Sequence, residues 1–167
     1  RQSPAIRALV AENTLTAGDL IWPVFVREGE GIEEPVPSMP GVFRRSVDRV
    51  VAAAREAHAL GIPAVCLFPY TSAANRSADC AEAWNPDNLS NRATRAIKAA
   101  LPDLAVMTDV ALDPFSSFGH DGIVAEGQIL NDETAEVLAE MSVSHAKAGA
   151  DFVAPSDMMD GRIKKIR

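Results

Sequence analysis

Short apolar segments recur along the chain, and a longer segment with the spacing of an amphipathic helix follows each of the first three. The apolar segments predict four strands, at residues 21–26, 63–68, 104–109 and 151–155. They lie roughly 40 residues apart, a spacing that suits repeated βα units. Because crossovers between parallel strands are right-handed, we expect these strands to be neighbours, in chain order, in one parallel sheet.

Capping residues and apolar stripes predict the helices around these strands. The predicted helices run from an N-cap at Ser46 to Gly61, from Ala93 to Leu101 after an N-cap at Ser90 or Asn91, and from Asn131 or Asp132 to Gly149, with Ala135, Leu138 and Met141 buried. Ser3 and Pro4 predict a short helix near the N-terminus, with an apolar face of Ile6, Leu9 and Val10. Residues 27–40 contain four Glu together with Gly and Pro, and we expect a solvated loop there.

Acidic and hydroxyl side chains gather where two of the predicted strands end. Asp109 and Asp113 follow the apolar run Leu104–Met107, and a loop then leads to Asp121. Ser156 and Asp157 follow the strand at residues 151–155. In parallel βα folds the sites form at the carboxyl ends of strands. We therefore predict a functional site that includes these five residues.

The segments around these residues carry a family resemblance. Two segments closely resemble the delta-aminolevulinic acid dehydratases, also called porphobilinogen synthases: D-V-A-L-D-P-F-S-S-F-G-H-D-G and A-G-A-D-F-V-A-P-S-D-M-M-D-G-R. The resemblance continues in three shorter segments, I-W-P-V-F-V, S-M-P-G and L-G-I-P-A-V-C-L-F-P. Periodicity alone fits a doubly wound sheet or the start of an eight-fold barrel. The resemblance implies a TIM (β/α)8 barrel, of which this chain would hold the first four βα units at residues 21–167 and an N-terminal arm at residues 1–20.

The resemblance also implies an activity. The family condenses two molecules of 5-aminolevulinate to porphobilinogen, with loss of two waters, in tetrapyrrole (heme and chlorophyll) biosynthesis. Asp109 and Ser156 would orient substrate groups, while Asp113, Asp121 and Asp157 would hold an ammonium or move protons. A homo-oligomer, octamer or hexamer, is implied, and the arm would pack on a neighbouring subunit. The alternative for the arm is a helix that covers the bottom of its own barrel.

The residues at the metal-binding positions differ from those of the zinc-using members of the family. Those members carry cysteines at three positions that here are Ala111, Asp113 and Asp121. Carboxylate oxygens suit magnesium rather than zinc, and Ala111 offers no ligand. We expect no active-site zinc and no organic cofactor, with Asp113 and Asp121 as candidate weak magnesium ligands. His120 is expected to be a structural hydrogen-bonding residue rather than a ligand.

The family uses two lysines to form Schiff bases with its substrates, and such an amine needs a lowered pKa. The chain contains four lysines, all in or beside helical segments: Lys98, Lys147, Lys164 and Lys165. We expect these to be solvated, and the reactive lysines and the cations for the substrate carboxylates to belong to a C-terminal half that this chain lacks. The chain alone is predicted to be inactive. An alternative function is a non-catalytic half-barrel that serves as a binding or interaction module.

The composition of the chain limits the classes of partner and the cellular location that we expect. A net charge of −7 and a pI of about 4.9 argue against binding to nucleic acid or to an anionic membrane surface. No apolar run approaches the roughly 20 residues that span a bilayer, and no signal-peptide pattern is present, so we expect a cytoplasmic protein. Cys66 and Cys80 lack the spacing of a disulfide framework or a metal pair, and we expect reduced thiols.

Overall fold

A computed structural model describes residues 2–167; Arg1, the first residue of the predicted arm, lies outside the described residues. The strands are β1 (Ile21–Arg27), β2 (Glu33–Pro35), β3 (Phe43–Arg45), β4 (Ala64–Tyr70), β5 (Ala105–Val110), β6 (Val124–Ala125), β7 (Gln128–Ile129) and β8 (Phe152–Pro155). The α-helices are α1 (Pro4–Leu9), α2 (Val47–Ala59), α3 (Leu89–Ala100), α4 (Asn131–Ala148) and α5 (Arg162–Ile166).

Six strands form one sheet in the order β2-β3-β1-β4-β5-β8. The four predicted strands are β1, β4, β5 and β8, and they pair in parallel and in chain order, which confirms that prediction. The register places Met107 beside both Cys66 and Phe152, and Asp109 beside Ala154. The carboxyl ends of β5 and β8 therefore meet at one edge of the sheet.

The core lies between the sheet and the long helices. Val24, Val65 and Val106 of three neighbouring strands pack with Val50 of α2 and Ile97 of α3. A second cluster joins Val110, Leu112 and Phe115 to Leu138 and Met141 of α4. Because side chains alternate along a strand, these contacts assign one face of the sheet to the helices.

The opposite face of the sheet carries the residues between these core positions. Phe25 and Phe68 lie on it with their ring centroids 6.0 Å apart, and Met107 has the same alternation. All three side chains remain partly exposed. This second face of the sheet is apolar but only partly covered, and we expect further elements to pack on it.

The prediction of a solvated loop at residues 27–40 was wrong in part. β1 extends to Arg27, and β2 forms an antiparallel hairpin with β3, which pairs in parallel with Phe25 and Val26 of β1. Arg45 forms an ion pair with Glu33 across the hairpin, and Arg27 contacts Glu34. Three-residue strands held by charge pairs show no apolar alternation, so periodicity does not reveal them.

The predicted helices are present with small shifts at their ends. α3 begins earlier than predicted because Asn88, rather than Ser90 or Asn91, is its N-cap and accepts a hydrogen bond from Asn91 N. α4 begins at Asn131, buries the three predicted apolar residues and ends before Gly149, whose φ of 103° suits glycine.

The N-terminal helix α1 is present but does not cover the sheet. The Ser3 hydroxyl accepts a hydrogen bond from Ile6 N at 3.3 Å, as an N-cap does. None of the residues of α1 is buried, and Leu9 is 85% exposed. In the described chain this helix therefore does not pack under the sheet.

None of the helices in residues 2–167 combines the length and the apolar character needed to cross a bilayer.

Candidate active site

The closest contact between the two acidic segments joins β5 to the residue that follows β8. The Ser156 hydroxyl donates a hydrogen bond of 2.6 Å to Asp109 Oδ1. Asp109 is buried near the carboxyl end of β5, while Ser156 is exposed just beyond β8. The side-by-side register of Asp109 and Ala154 explains this contact, because it brings the end of β8 next to Asp109. The structure thus brings together two of the five predicted site residues directly.

Burial changes the acidity of Asp109. Loss of solvent raises the pKa of its carboxyl group above the usual value, the bond from Ser156 opposes this rise, and the charges of Asp113, Asp121 and Asp157 add to it. Burial, with a further contribution from the charge of Asp109, raises the pKa of the Cys66 thiol to about 11. Cys66 is therefore an unreactive thiol beside Asp109, on the sheet face that carries Phe68. A carboxyl group with a raised pKa is better suited to accept and return a proton than an ordinary carboxylate.

Asp113 and Asp121 lie in the loop that follows β5. The chain leaves the extended conformation at Leu112, whose carbonyl oxygen accepts hydrogen bonds from Phe115 N and Ser116 N, both at 2.9 Å. Burial and the charge of Asp121 raise the pKa of Asp113. Gly122, next to Asp121, is tightly enclosed: a Cβ atom there would lie 2.7 Å from Ile129 Cγ2. This packing fixes the loop segment that carries Asp121.

Asp157 has a different environment from the other acids. Its side chain is completely buried, its Oδ1 accepts a hydrogen bond of 2.7 Å from Met159 N, and its Oδ2 lies 3.0 Å from Arg162 Nε. The last contact is an ion pair without the direction of a hydrogen bond. Arg162 also donates to the Met159 carbonyl oxygen at 2.8 Å. Asp157 thus holds the turn between β8 and α5, and it influences Asp109 through its charge.

Sequence reasoning missed a cation at this edge of the sheet. Arg76 follows β4 and donates two hydrogen bonds to the Thr71 carbonyl oxygen, at 3.3 Å from Nε and 3.1 Å from Nη2. Its positive charge lowers the pKa of Asp113 against the effect of burial. Arg76 stands in a polar loop after a parallel strand, and that position was the available signal.

The loop after β5 carries His120 and the acidic residues that are candidate metal ligands. His120 Nδ1 accepts a hydrogen bond of 3.1 Å from Gly122 N, which gives the imidazole a structural partner. Within residues 2–167, no group of three or more His, Cys, Asp or Glu side chains is arranged to hold a metal ion. Asp113 and Asp121 act on each other electrostatically and are the pair of oxygen donors that this loop offers.

The four lysines lie on helices. Lys98 Nζ on α3 lies 3.0 Å from Asp151 Oδ2 and donates to the Leu104 carbonyl oxygen, at the edge of the sheet opposite to Asp109. Lys165 on α5 forms an ion pair with Glu136 of α4, and Lys147 and Lys164 are exposed on their helices. None of these ammonium groups lies beside Asp109 and Ser156 in the part of the chain that the structure describes.

A histidine and two cysteines of the chain are also buried. His145 of α4 is fully buried, and its Nδ1 lies 2.9 Å from Thr108 Oγ1 of β5. Burial lowers the pKa of His145 to about 4, so the imidazole is neutral at physiological pH. Cys80 and Cys66 are both free and buried.

Comparisons with known proteins agree with this geometry. The family model described as delta-aminolevulinic acid dehydratase matches residues 1–167. Delta-aminolevulinic acid dehydratases of Bradyrhizobium diazoefficiens and Rhodobacter capsulatus are 52% and 46% identical over the whole chain, which spans 47% and 50% of their lengths. The crystal structure of delta-aminolevulinic acid dehydratase (porphobilinogen synthase) from Toxoplasma gondii ME49, in complex with the reaction product porphobilinogen, superposes with a TM-score of 0.94 at 46% identity. That match covers 99% of this chain and 47% of the other.

Proposed function

Because the chain belongs to the delta-aminolevulinic acid dehydratase family, we propose that it is the N-terminal half of a porphobilinogen synthase. The whole enzyme would be a lyase that condenses two 5-aminolevulinate molecules to porphobilinogen with loss of two waters. The chain spans about half the length of the curated relatives it matches. We propose that the remaining half supplies the groups that this chain lacks.

The hydrogen bond between Ser156 and Asp109 is the observation that carries this proposal. It joins the two motifs at one edge of the sheet, with a buried carboxyl group whose pKa is raised and with further acids nearby. We propose that Asp109 moves protons during the condensation and that Ser156 orients it and a substrate group. The ammonium of 5-aminolevulinate would be held by the surrounding carboxylates of Asp113 and Asp121. The fully buried Asp157 would act mainly by positioning the loop after β8.

The fold supports a half-barrel. β3 pairs with β1 only at Phe25 and Val26, so the edge of β1 at residues 21–24 is left for another strand. β8 forms the other end of the sheet, and its Phe152 is 55% exposed. Four further βα units that pair with these two edges would close an eight-stranded barrel. Such closure would also cover Phe25 and Phe68 with the apolar residues of the opposite wall.

The nucleophile would come from the missing half. Schiff-base chemistry needs an amine close to the carbonyl carbon of the substrate, with a pKa lowered by burial or a nearby cation. The four lysines of this chain sit on helices away from Asp109. We therefore propose that both reactive lysines, and the cations that bind the substrate carboxylates, follow residue 167.

The donor set disfavours zinc. Ala111 has no donor atom, and Asp113 and Asp121 provide hard oxygens, which suit magnesium. If magnesium binds here, these two carboxylates would hold it together with water, and it would supply electrostatic stabilisation of negative charge. We propose that the site works without tightly bound zinc or an organic cofactor.

The assembly and the location are also proposals. The exposed apolar face of α1 supports packing of the arm, residues 1–20, on another copy of the chain in a homo-oligomer. The acidic composition gives no support to a nucleic-acid or membrane partner, and we propose a cytoplasmic enzyme. No specific observation favours the alternative of a non-catalytic half-barrel module.

A trapping experiment tests the proposed function. The full-length protein is incubated with 5-aminolevulinate, porphobilinogen is measured, and a second portion is reduced with borohydride and digested for peptide mapping. We expect product, retained in a zinc-selective chelator, and a reduced adduct on a lysine beyond residue 167. Absence of product would refute the function. An adduct on Lys98, Lys147, Lys164 or Lys165 would refute the assignment of the nucleophile, and product that disappears with chelated zinc would refute the metal proposal.

A further inference from the structure

Side chains hold the turn that follows β8, at residues 156–161. Asp157 is completely buried, and its Oδ1 accepts a hydrogen bond of 2.7 Å from Met159 N. Arg162 donates to the Met159 carbonyl oxygen at 2.8 Å. These contacts join residues of one short segment, so they fix the shape of the turn but do not by themselves fix its position relative to β5.

Asn131, the first residue of α4, holds the same turn from a different element. Its Oδ1 accepts a hydrogen bond of 2.8 Å from Asp160 N, and its Nδ2 donates one of 3.2 Å to the Asp160 carbonyl oxygen. The side-chain amide therefore pairs with both backbone polar groups of one residue. An amide can do this because it carries a donor and an acceptor, whereas a carboxylate has no donor.

The same end of α4 also holds the loop after β5. Leu130 N donates to the Ile123 carbonyl oxygen at 2.9 Å, and Ile123 N donates to Thr134 Oγ1 at 3.0 Å. The turn after β8 packs against this loop as well, since a Cβ atom at Gly122 would lie 3.2 Å from Met159 Cε. The N-terminus of α4 thus connects the two segments that carry the site residues.

Resting on the proposed function, we propose that Asn131 is a positioning residue that holds the Ser156 hydroxyl against Asp109. Ser156 opens the turn that Asn131 fixes, and its bond of 2.6 Å to Asp109 joins this turn to β5. Ser156 is exposed, so burial does not hold it in place. A displacement of about 1 Å would carry its hydroxyl beyond hydrogen-bonding distance. Loss of this bond should lower turnover, because the proposed proton-transfer group would lose its orientation.

Turnover of the full-length protein at saturating 5-aminolevulinate tests this role. Asn131→Ala removes both contacts with Asp160 and should lower kcat by about tenfold, within the scale of a small misplacement of a catalytic group. Ser156→Ala should lower kcat at least as much. In that background, Asn131→Ala should lower kcat by less than about twofold, because no hydroxyl remains to be held. Glu133→Gln, an exposed residue in the same turn of α4, is the control and should keep wild-type turnover.

Asn131→Asp separates positioning from stability. The new carboxylate still accepts a hydrogen bond from Asp160 N, and a negative charge in the first turn of a helix is favourable, which offsets the lost donor. We expect the midpoint of thermal unfolding to stay within about 2 °C of the wild type. Turnover should nevertheless fall as in Asn131→Ala, because the second oxygen of the carboxylate repels the Asp160 carbonyl oxygen.

Two results would overturn the proposal. The first is wild-type turnover in either Asn131 variant. The second is an equal loss of kcat on Asn131→Ala in the wild-type and Ser156→Ala backgrounds, because Asn131 would then act through another residue.

Hydrogen–deuterium exchange of the substrate-free, full-length protein reports on the turn without using activity. The backbone amide of Asp160 should exchange about fivefold faster in Asn131→Ala, the scale of one hydrogen bond, and at the wild-type rate in Glu133→Gln. Unchanged exchange in Asn131→Ala would overturn the hold of Asn131 on the turn. Absence of porphobilinogen with the wild-type protein would instead refute the proposed function, and the exchange rates would still support or overturn that hold.

Discussion

Burial shifts the pKa values of the acids and of a histidine in opposite directions in this molecule. Asp109 and Asp113 share an edge of the sheet, and burial together with neighbouring negative charge raises the pKa of both. Burial acts in the opposite direction on His145, whose charged form is cationic, and lowers its pKa to about 4. The acids can therefore take up protons more readily than in water, whereas the histidine stays neutral.

His145 should make the stability of the protein depend on pH. Its pKa is about 4 in the folded protein and 6.5 in the unfolded chain, so the unfolded chain binds the proton first as the pH falls. Stability is therefore fully present above pH 6.5 and is lost below it. Between pH 7 and pH 5 we expect the free energy of unfolding to fall by about 2 kcal/mol more in the wild type than in His145→Gln.

Thermal unfolding of the full-length protein across this pH range measures the difference. The raised pKa values of Asp109 and Asp113 affect stability in the opposite direction, because they make the folded protein more stable as the pH falls. Both residues are present in the wild type and in the variant, so their effect cancels in the comparison. His58→Gln is the matched control, since His58 is exposed on α2 and its replacement should leave the wild-type slope. If the free energy of unfolding changed with pH equally in the wild type and in His145→Gln, burial of His145 would not contribute to the pH dependence.

At the scale of elements, the sequence was informative where a rule of periodicity or capping applies. The four strands of the parallel sheet and the helix α4 follow from apolar runs and from Gly149. The hairpin of β2 and β3 does not, because ion pairs between Arg45 and Glu33 hold strands too short to show alternation. The contact of Ser156 with Asp109 followed from strand order, whereas Arg76 was missed because its partner is a backbone carbonyl across a loop.

The N-terminal arm exposes apolar side chains that no other element of the described chain covers. Deletion of residues 1–12 should reduce the mass of the full-length oligomer in light scattering, because α1 exposes apolar side chains without burying any within the described chain. Leu9→Ser should have the same effect in weaker form. Leu60→Ser is the control, since Leu60 is similarly exposed but lies after α2. An unchanged mass in both the deletion and Leu9→Ser would rule out assembly through the arm.

At the scale of the whole molecule, the chain has the properties of one wall of a larger structure. The helices cover one face of its sheet, while the apolar rings of Phe25 and Phe68 on the other face stay partly exposed. The predicted site residues Asp109, Asp113, Asp121 and Asp157 belong to one edge of the sheet, and the lysines lie elsewhere. The sequence resemblance indicated the family that the comparisons show, whereas strand periodicity alone could not separate a barrel from a doubly wound sheet.

The central claim is that Asp109 is a proton-transfer group of a porphobilinogen synthase, and turnover by Asp109→Asn in the full-length protein tests it most directly. Asn keeps an oxygen that accepts the Ser156 hydrogen bond but cannot exchange a proton, so the fold should be preserved. We expect kcat to fall by about two orders of magnitude or more, the usual scale for such a group. Asp103→Asn, an exposed acid just before β5, should retain wild-type turnover. Normal turnover by Asp109→Asn, with unchanged oligomer mass, would contradict the account.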